Sequence, residues 1–314
     1  MNQLKVAGLL ALLVAGPVLA QATTEAPKFT YTEAPKEDAK ETGWKVRASA
    51  GLLWLAGNAN STSISAGLLV TRDAVWQRYS LAAAYAFAKS SVYTAPNPPP
   101  TQPITSLDQL TSTTTLSARL WNVTPRFDQW LIRRDAPFDT SIYVLGNIAS
   151  DFAAGKKLFG GGQVGVSTLL VKAGAHRVVG EIGFDYTYLQ PYVGEGYSIA
   201  SLRGALGYVF DITKTTKFTA GVEYLINVND ESGAPNAPDV TAVGVPAFQD
   251  SRVNGVIGLT TQVWDQLSLN LTWTGKFDAK PNLAQLPPGL PTGSAAFLKT
   301  FDSAMTIQFV YTFG

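Results

Sequence analysis

The chain has 314 residues, a formal net charge of +1, only 15% charged residues and no cysteine. This balance offers no basic patch for nucleic acid, and the missing thiols exclude disulfide staples and thiolate metal sites. Apolar residues make up 46%, but Gly, Ser, Thr and Asn dilute them, so no segment beyond the N-terminus reaches the ~20 apolar residues that a membrane-spanning helix needs.

The first element is a targeting segment. Lys5 precedes the apolar run from Val6 to Gly16, Pro17 breaks it, and Ala20-Gln21-Ala22 forms a small-x-small site. A basic start, a short apolar stretch and such a site read as a secretory signal peptide over 1–22, cleaved after Ala22, with Ala20 as the alternative. Residues 23–43 follow as a polar linker in which Thr-Glu-Ala-Pro-Lys occurs twice, at 24–28 and 32–36. Such a Pro-, Glu- and Lys-rich composition cannot build a core and reads as a disordered tether.

From Trp44 to the C-terminus the dominant period is two. Trp44, Val46, Ala48, Ala50 and Leu52 alternate with Lys45, Arg47, Ser49 and Gly51, which places an apolar and a polar face on one strand. Gly57-Asn58-Ala59-Asn60 turns the chain into a second strand carrying Ile64, Ala66, Leu68 and Val70 on its apolar face. The third carries Tyr79, Leu81, Ala83, Tyr85 and Phe87. Nine further strands are expected near 109–123, 139–150, 160–171, 177–189, 198–210, 217–229, 251–263, 267–278 and 300–313. The fifth is ambiguous, because Ile142-Tyr143-Val144-Leu145 is apolar on both faces.

Connections alternate in length. Those after the second, sixth, eighth and tenth strands are short, whereas those after the third, ninth and eleventh are long and rich in Pro, Gly and Asn. The segment 124–138 breaks the rule by its length, unless part of it extends the fourth strand past Pro125. Aromatic residues gather toward strand ends, with Trp44, Trp76, Trp121, Trp130 and Trp264 at one side and Tyr186, Tyr188, Trp273 and Phe277 at the other. One apolar and one wet face per strand, alternating loop lengths and two aromatic girdles together predict an all-β, antiparallel up-and-down transmembrane β-barrel of about 12 strands over 44–314. An even strand count puts both termini on the short-turn side, the periplasm. The last strand alternates Phe301, Ser303, Met305, Ile307, Phe309, Tyr311 and Phe313, an aromatic ending of the kind that barrel-insertion machinery reads, although Gly314 follows it.

The strand–Gly-Asn-x-Asn–strand hairpin from Gly51 to Val70 with Thr62, Ser63 and Ser65, the triplet Arg126-Phe127-Asp128, the glycines Gly160-Gly161-Gly162 with Gly165, and the terminal strand pair from Leu267 resemble the salt-induced outer-membrane protein family, barrels of undefined function. The resemblance spans roughly residues 44–314. It implies outer-membrane location and no particular activity.

Catalytic candidates are few. The single histidine, His176, falls at a short turn, away from the outer leaflet where a hydrolase would need its base, so a Ser-His triad is not supported. Glu181 and Asp185 share one strand face, where ion pairing is the ordinary role. Gly160–Gly162 lacks the Lys-Ser/Thr of a phosphate loop. The loop acids Asp108, Asp151, Asp230, Asp239 and Asp250 could meet divalent ions or lipopolysaccharide headgroups, but no EF-hand spacing marks a metal site. The chain is therefore read as a non-enzyme with no cofactor, no metal and no nucleic-acid partner.

What remains is the lumen. Alternation turns Lys45, Arg47, Arg78, Arg119, Glu181, Asp185, Arg203, Lys217, Glu223, Arg252, Lys276 and Asp302 inward, eight basic against four acidic residues. Charge rings set ion preference in pores. Twelve strands at ~4.8 Å spacing and ~40° tilt make a cylinder roughly 25 Å across. Three readings stay open: a narrow passive channel for small solutes with weak anion preference, a filled and non-conducting structural or stress-responsive envelope protein, and, least supported, an outer-leaflet enzyme.

Overall fold

The computed structural model describes residues 43–56, 61–94, 102–132, 139–151, 155–235, 243–283 and, within 290–313, all but 292, 293 and 295. The expected signal peptide and linker lie outside the described residues. Twelve strands form a closed antiparallel barrel: β1 Lys45–Ala56, β2 Ser61–Asp73, β3 Gln77–Thr94, β4 Thr111–Ile132, β5 Thr140–Asp151, β6 Lys156–Ala173, β7 His176–Pro191, β8 Tyr197–Asp211, β9 Thr216–Asn227, β12 Ser251–Trp264, β13 Leu267–Asp278 and β14 Phe301–Phe313. A short hairpin, β10 Glu231–Pro235 with β11 Val243–Val245, forms a separate two-stranded sheet between β9 and β12.

Closure is the seam between β1 and β14, in register from Val46↔Phe313 to Ala56↔Ser303. It gives the ladder no free edge. Both barrel termini lie at one end, with the turns that contain 74–76, 174–175, 212–215 and 265–266; this is called the terminal end, and the other the loop end. At the β6–β7 turn Gly174 has φ +56°, which glycine adopts without steric cost.

The outer surface is apolar. Ile182 is 70% exposed, Ile64 68% and Phe309 58%, and Leu202, Leu206, Val222 and Tyr224 also face outward. Only lipid or a partner makes this arrangement stable. Trp44, Trp76 and Trp264 are exposed at the terminal end, and Tyr186, Tyr188 and Phe277 toward the loop end.

Two sequence expectations change. The fourth strand does not stop at 123 but runs to Ile132, so the connection that looked too long is mostly strand. Pro125 lacks an N–H, and the β4–β5 ladder skips from Val123↔Ile148 to Arg126↔Leu145 around it before resuming, a tolerated local interruption. In consequence Trp121 sits mid-strand opposite Tyr85, and Trp130 is buried inside the barrel instead of in a girdle. The ambiguous fifth strand resolves cleanly: Ile142, Val144 and Ile148 face outward, while Tyr143, Leu145 and Asn147 face inward.

Part of the loop end is covered. A small core of Ala149, Phe159, Leu189, Tyr197 and Ile199 meets Ala234 and Val245 of the β10–β11 hairpin. Leu283 and Phe297 bridge within the connection before β14, and the Tyr197 hydroxyl donates to Asn282 Oδ1 at 3.0 Å.

The lipid and lumen faces can be separated by one substitution on each. Ile182→Arg places a guanidinium in hydrocarbon and should cost about 2–4 kcal/mol near the midplane, whereas Thr306→Arg, on the wet face, should cost far less. Denaturant titration of both variants in lipid vesicles checks the assignment, and equal losses would reject it.

Candidate functional site: an ion-paired wall and a polar chamber

Inside the barrel, β4 to β9 carry a wall of paired charges. Asp128 accepts from Arg126 Nε at 3.0 Å and from its Nη2 at 2.7 Å, and Arg126 Nη2 also donates to Glu181 Oε1 at 2.9 Å. Arg203 Nη1 donates to the other Glu181 oxygen at 2.8 Å and to the Tyr143 hydroxyl at 2.8 Å, and Arg203 Nε donates to Glu223 at 2.5 Å. Asn254 Nδ2 completes the series with 2.7 Å to Glu223 Oε2. All the ionised members are under 6% exposed. Glu181 thus bridges two guanidinium groups, which removes the repulsion that two buried cations would otherwise feel.

Tyr143 organises this wall. Its ring lies 4.3 Å from the Arg126 guanidinium and 5.8 Å from that of Arg203, both in cation–π range. To cross from β5 to β8 it lies over two glycines. A Cβ on Gly165 would sit 2.7 Å from the Tyr143 hydroxyl, and one on Gly183 would sit 2.8 Å from it. The glycine noted in sequence at 165 therefore clears a path for a tyrosine.

The opposite wall, β12–β14 with β1–β3, encloses a chamber of about 1090 Å³. Ser49, Asn122, Thr260, Gln262, Ser268, Asn270, Thr272, Thr274, Thr306, Gln308 and Thr312 line it, with Arg47, Lys214 and Lys217 opposed by Asp211 near the terminal end. One residue pair further along β13 and β14 lies a second, smaller space, a gap of about 50 Å³ among Lys156, Glu223, Arg252, Asn254, Lys276, Asp278, Lys299 and Asp302.

The inward charges read from sequence divide accordingly. Arg47 and Lys217 line the chamber; Lys45 shares the inward face of β1 with Arg47; Arg78 pairs with Asp73 near the terminal end. Glu181, Arg203 and Glu223 belong to the paired wall, while Arg252, Lys276 and Asp302 line the gap. Asp185 is fully buried and accepts from Thr187. The Arg119 side chain lies outside the described residues. Arg126 and Asp128 were missed as lumen residues because Pro125 appeared to end the strand; the alternation Arg126-Phe127-Asp128-Gln129 would have revealed them. Asp73, Asp151, Asp211 and Asp278 also stand inside, as do Lys156, Lys214 and Lys299, so the inward charge of both signs is larger than alternation gave.

His176 is exposed at the terminal end, 2.7 Å from the Tyr208 hydroxyl and stacked on Phe210 at 4.5 Å. Asp151 and Asp250 are buried, so they do not offer themselves to headgroups; Asp239 lies outside the described residues. Among the described residues no cluster of metal-ligating side chains occurs.

A family model with the description "Protein of unknown function, DUF481" matches residues 48–235. The chain belongs to this family. No curated protein matches it. Similar solved structures include the NanC porin, at 10% identity over 86% of this chain and 99% of that one with a TM-score of 0.48. The COG4313 outer membrane channel from Pseudomonas putida F1 shows 8% identity, 90% and 100% coverage and a TM-score of 0.47. The Pseudomonas putida toluene transporter TodX shows 10% identity, 95% coverage of both chains and a TM-score of 0.42. The DUF481 match takes in the paired wall and ends before β12–β14, which carry much of the chamber.

Two tests follow from this geometry. Glu181→Gln leaves two buried guanidinium groups short of a carboxylate and should destabilise the barrel by about 3–5 kcal/mol. Tyr143→Phe loses one hydrogen bond to Arg203 and should cost about 1–3 kcal/mol. Urea titration of vesicle-folded protein ranks them. The second test concerns the loop-end cap. Burial, reinforced by the Asp250 carboxylate, pushes the Glu231 carboxyl up to about 8. A raised folded-state value means that the stabilisation is complete below the unfolded value near 4.5 and is lost as pH rises through about 8. Proteolysis at the β10–β11 hairpin should therefore accelerate as pH rises from 4.5 to about 8, and Glu231→Gln should flatten the pH dependence.

Proposed function

We propose that this DUF481 protein is an integral barrel of the bacterial outer membrane that works as a narrow passive channel for small solutes, with a weak anion preference and no enzymatic step. The observation that carries this reading is the chamber, which adjoins the gap along β13 and β14, from Thr274 and Ala304 to Lys276 and Asp302. A continuous polar wall ending in a constriction is how a pore combines passage with selection. Location in the outer membrane rests on the closed barrel, the apolar belt, the signal-like N-terminus and the resemblance to salt-induced outer-membrane proteins. Short turns at the terminal end favour periplasmic termini, and the loop end would face lipopolysaccharide. The aromatic C-terminal strand suits recognition by the insertion machinery.

The weak anion preference follows from local balance. Arg47, Lys214 and Lys217 oppose Asp211 at the chamber rim, and Lys156, Arg252, Lys276 and Lys299 oppose Glu223, Asp278 and Asp302 at the gap. The excess is one or two charges at each level, and low-dielectric walls focus it. A second reading, a non-conducting structural barrel, is favoured by the paired wall and by Asn282, Leu298 and Lys299, which narrow the gap at the loop end.

Bilayer recordings of refolded protein decide between them. The joint variant Arg47→Gln and Lys217→Gln should move the reversal potential toward cations at low salt. The shift should fade as salt rises, because the Debye length falls from about 30 Å at 0.01 M to about 3 Å at 1 M. An unchanged reversal potential would remove the anion preference, and a folded barrel without conductance would hand the protein to the structural reading.

A further inference from the structure

The two lumen walls differ in chemistry, and the difference selects a class of solute. Along β4–β9 the buried charges pair with one another, and the guanidinium nitrogens left over, Arg126 Nη1 and Arg203 Nη2, are themselves buried, so little of their bonding capacity faces the open space. Along β12–β14, between the basic rim and the gap, the inward positions of the chamber wall are hydroxyl, amide or small apolar side chains.

These polar groups are in register across the strands. Thr260 stands opposite Asn270, Asn270 opposite Gln308, and Thr272 opposite Thr306. Thr260 Oγ1 donates to Asn270 Oδ1 at 3.0 Å, which leaves the amide N–H groups of Asn270, a chamber-lining residue, as donors. Gln308 Nε2 donates to Ser65 Oγ at 3.5 Å, which leaves the Gln308 carbonyl oxygen as an acceptor. Adjacent rows thus offer donors and acceptors within one side-chain spacing, together with two hydroxyls that serve as either. Vicinal hydroxyl groups need this alternation, since each both donates and accepts. A fully ionic solute gains no opposite charge on this face and would lose hydration there. None of the described chamber-lining residues is aromatic, so affinity would rest on hydrogen bonds alone and stay weak enough to let solute leave.

We propose that the face formed by Thr260, Asn270, Thr272, Thr306 and Gln308 binds polyhydroxylated, uncharged solutes of the saccharide class. This deepens the channel reading and rests on it for the route of entry. A trisaccharide is too large for a gap of about 50 Å³, so among the described residues the terminal end is its way into the chamber.

The test uses raffinose as probe and a polyethylene glycol of equal hydrodynamic size as reference. In bilayers, raffinose added on the terminal-end side should reduce ionic current in a saturable way, and raffinose on the loop-end side should not. The double variant Asn270→Leu and Gln308→Leu, with its folding checked by heat-modifiable gel migration, should need roughly tenfold more raffinose for the same reduction. Equal reduction by raffinose and polyethylene glycol, or an unaltered concentration dependence in the double variant, would overturn the proposal. If the folded barrel carries no current, the channel reading fails while binding remains measurable. Saturation-transfer NMR in detergent should then show transfer to raffinose, none to polyethylene glycol, and loss in the double variant; no transfer to raffinose in the unaltered protein overturns the saccharide site itself.

Discussion

Every backbone N–H and C=O within hydrocarbon must find a partner in the protein, because no water is there to supply one. A sheet meets this demand only by closing on itself, and here the β1–β14 seam performs the closure. The rest follows from it. Once strands are bonded on both sides, each has one face toward lipid and one toward the lumen, and the sequence must alternate. The sole proline within β4 shows how little slack the rule leaves. Pro125 withdraws one donor, the ladder is interrupted around it, and pairing resumes at Arg126.

Closure also encloses a space that must be filled or wetted, and this chain does both. Its β4–β9 wall is filled. Buried guanidinium and carboxylate groups are costly to desolvate, so they persist only in mutual contact, and Glu181 between Arg126 and Arg203 is the centre of that contact. Tyr143 contributes a ring face and a hydroxyl to the same two cations. It can reach them because Gly165 and Gly183 carry no side chain. The β12–β14 wall is wetted, with hydroxyls and amides that exchange hydrogen bonds with solvent at little net gain or loss.

This division places paired charge and neutral polar groups on different strands. A network of multiply bonded charges holds β4–β9 in one geometry, while the β12–β14 wall presents neutral hydroxyl and amide groups to the chamber. The DUF481 match covers the first and stops at Pro235. In the gap between the two, Lys276 and Asp302 meet residues of β9 and β12, and neutral surroundings give way to charged ones.

Period two was enough to reveal the barrel, the inward parity of Glu181, Arg203, Glu223 and Lys217, and the lipid parity of Ile182 and Tyr224, because alternation is a local property of extended chain. Loop lengths revealed which strand ends belong together for the same reason. The sequence offered continuation of β4 past Pro125 only as an alternative, since the cost of a missing donor depends on what the neighbouring strand offers. Nor did it show that the apolar run at Ile142–Leu145 divides into a lipid face and a tyrosine buried among arginines. Counting inward charges suggested a positive lumen. Pairing decides how much of that charge a solute can feel, and pairing depends on side chains from strands as far apart as β4 and β8. Those distances are set only when the barrel closes, so the fold was legible in one dimension and the chemistry of its interior was decided in three.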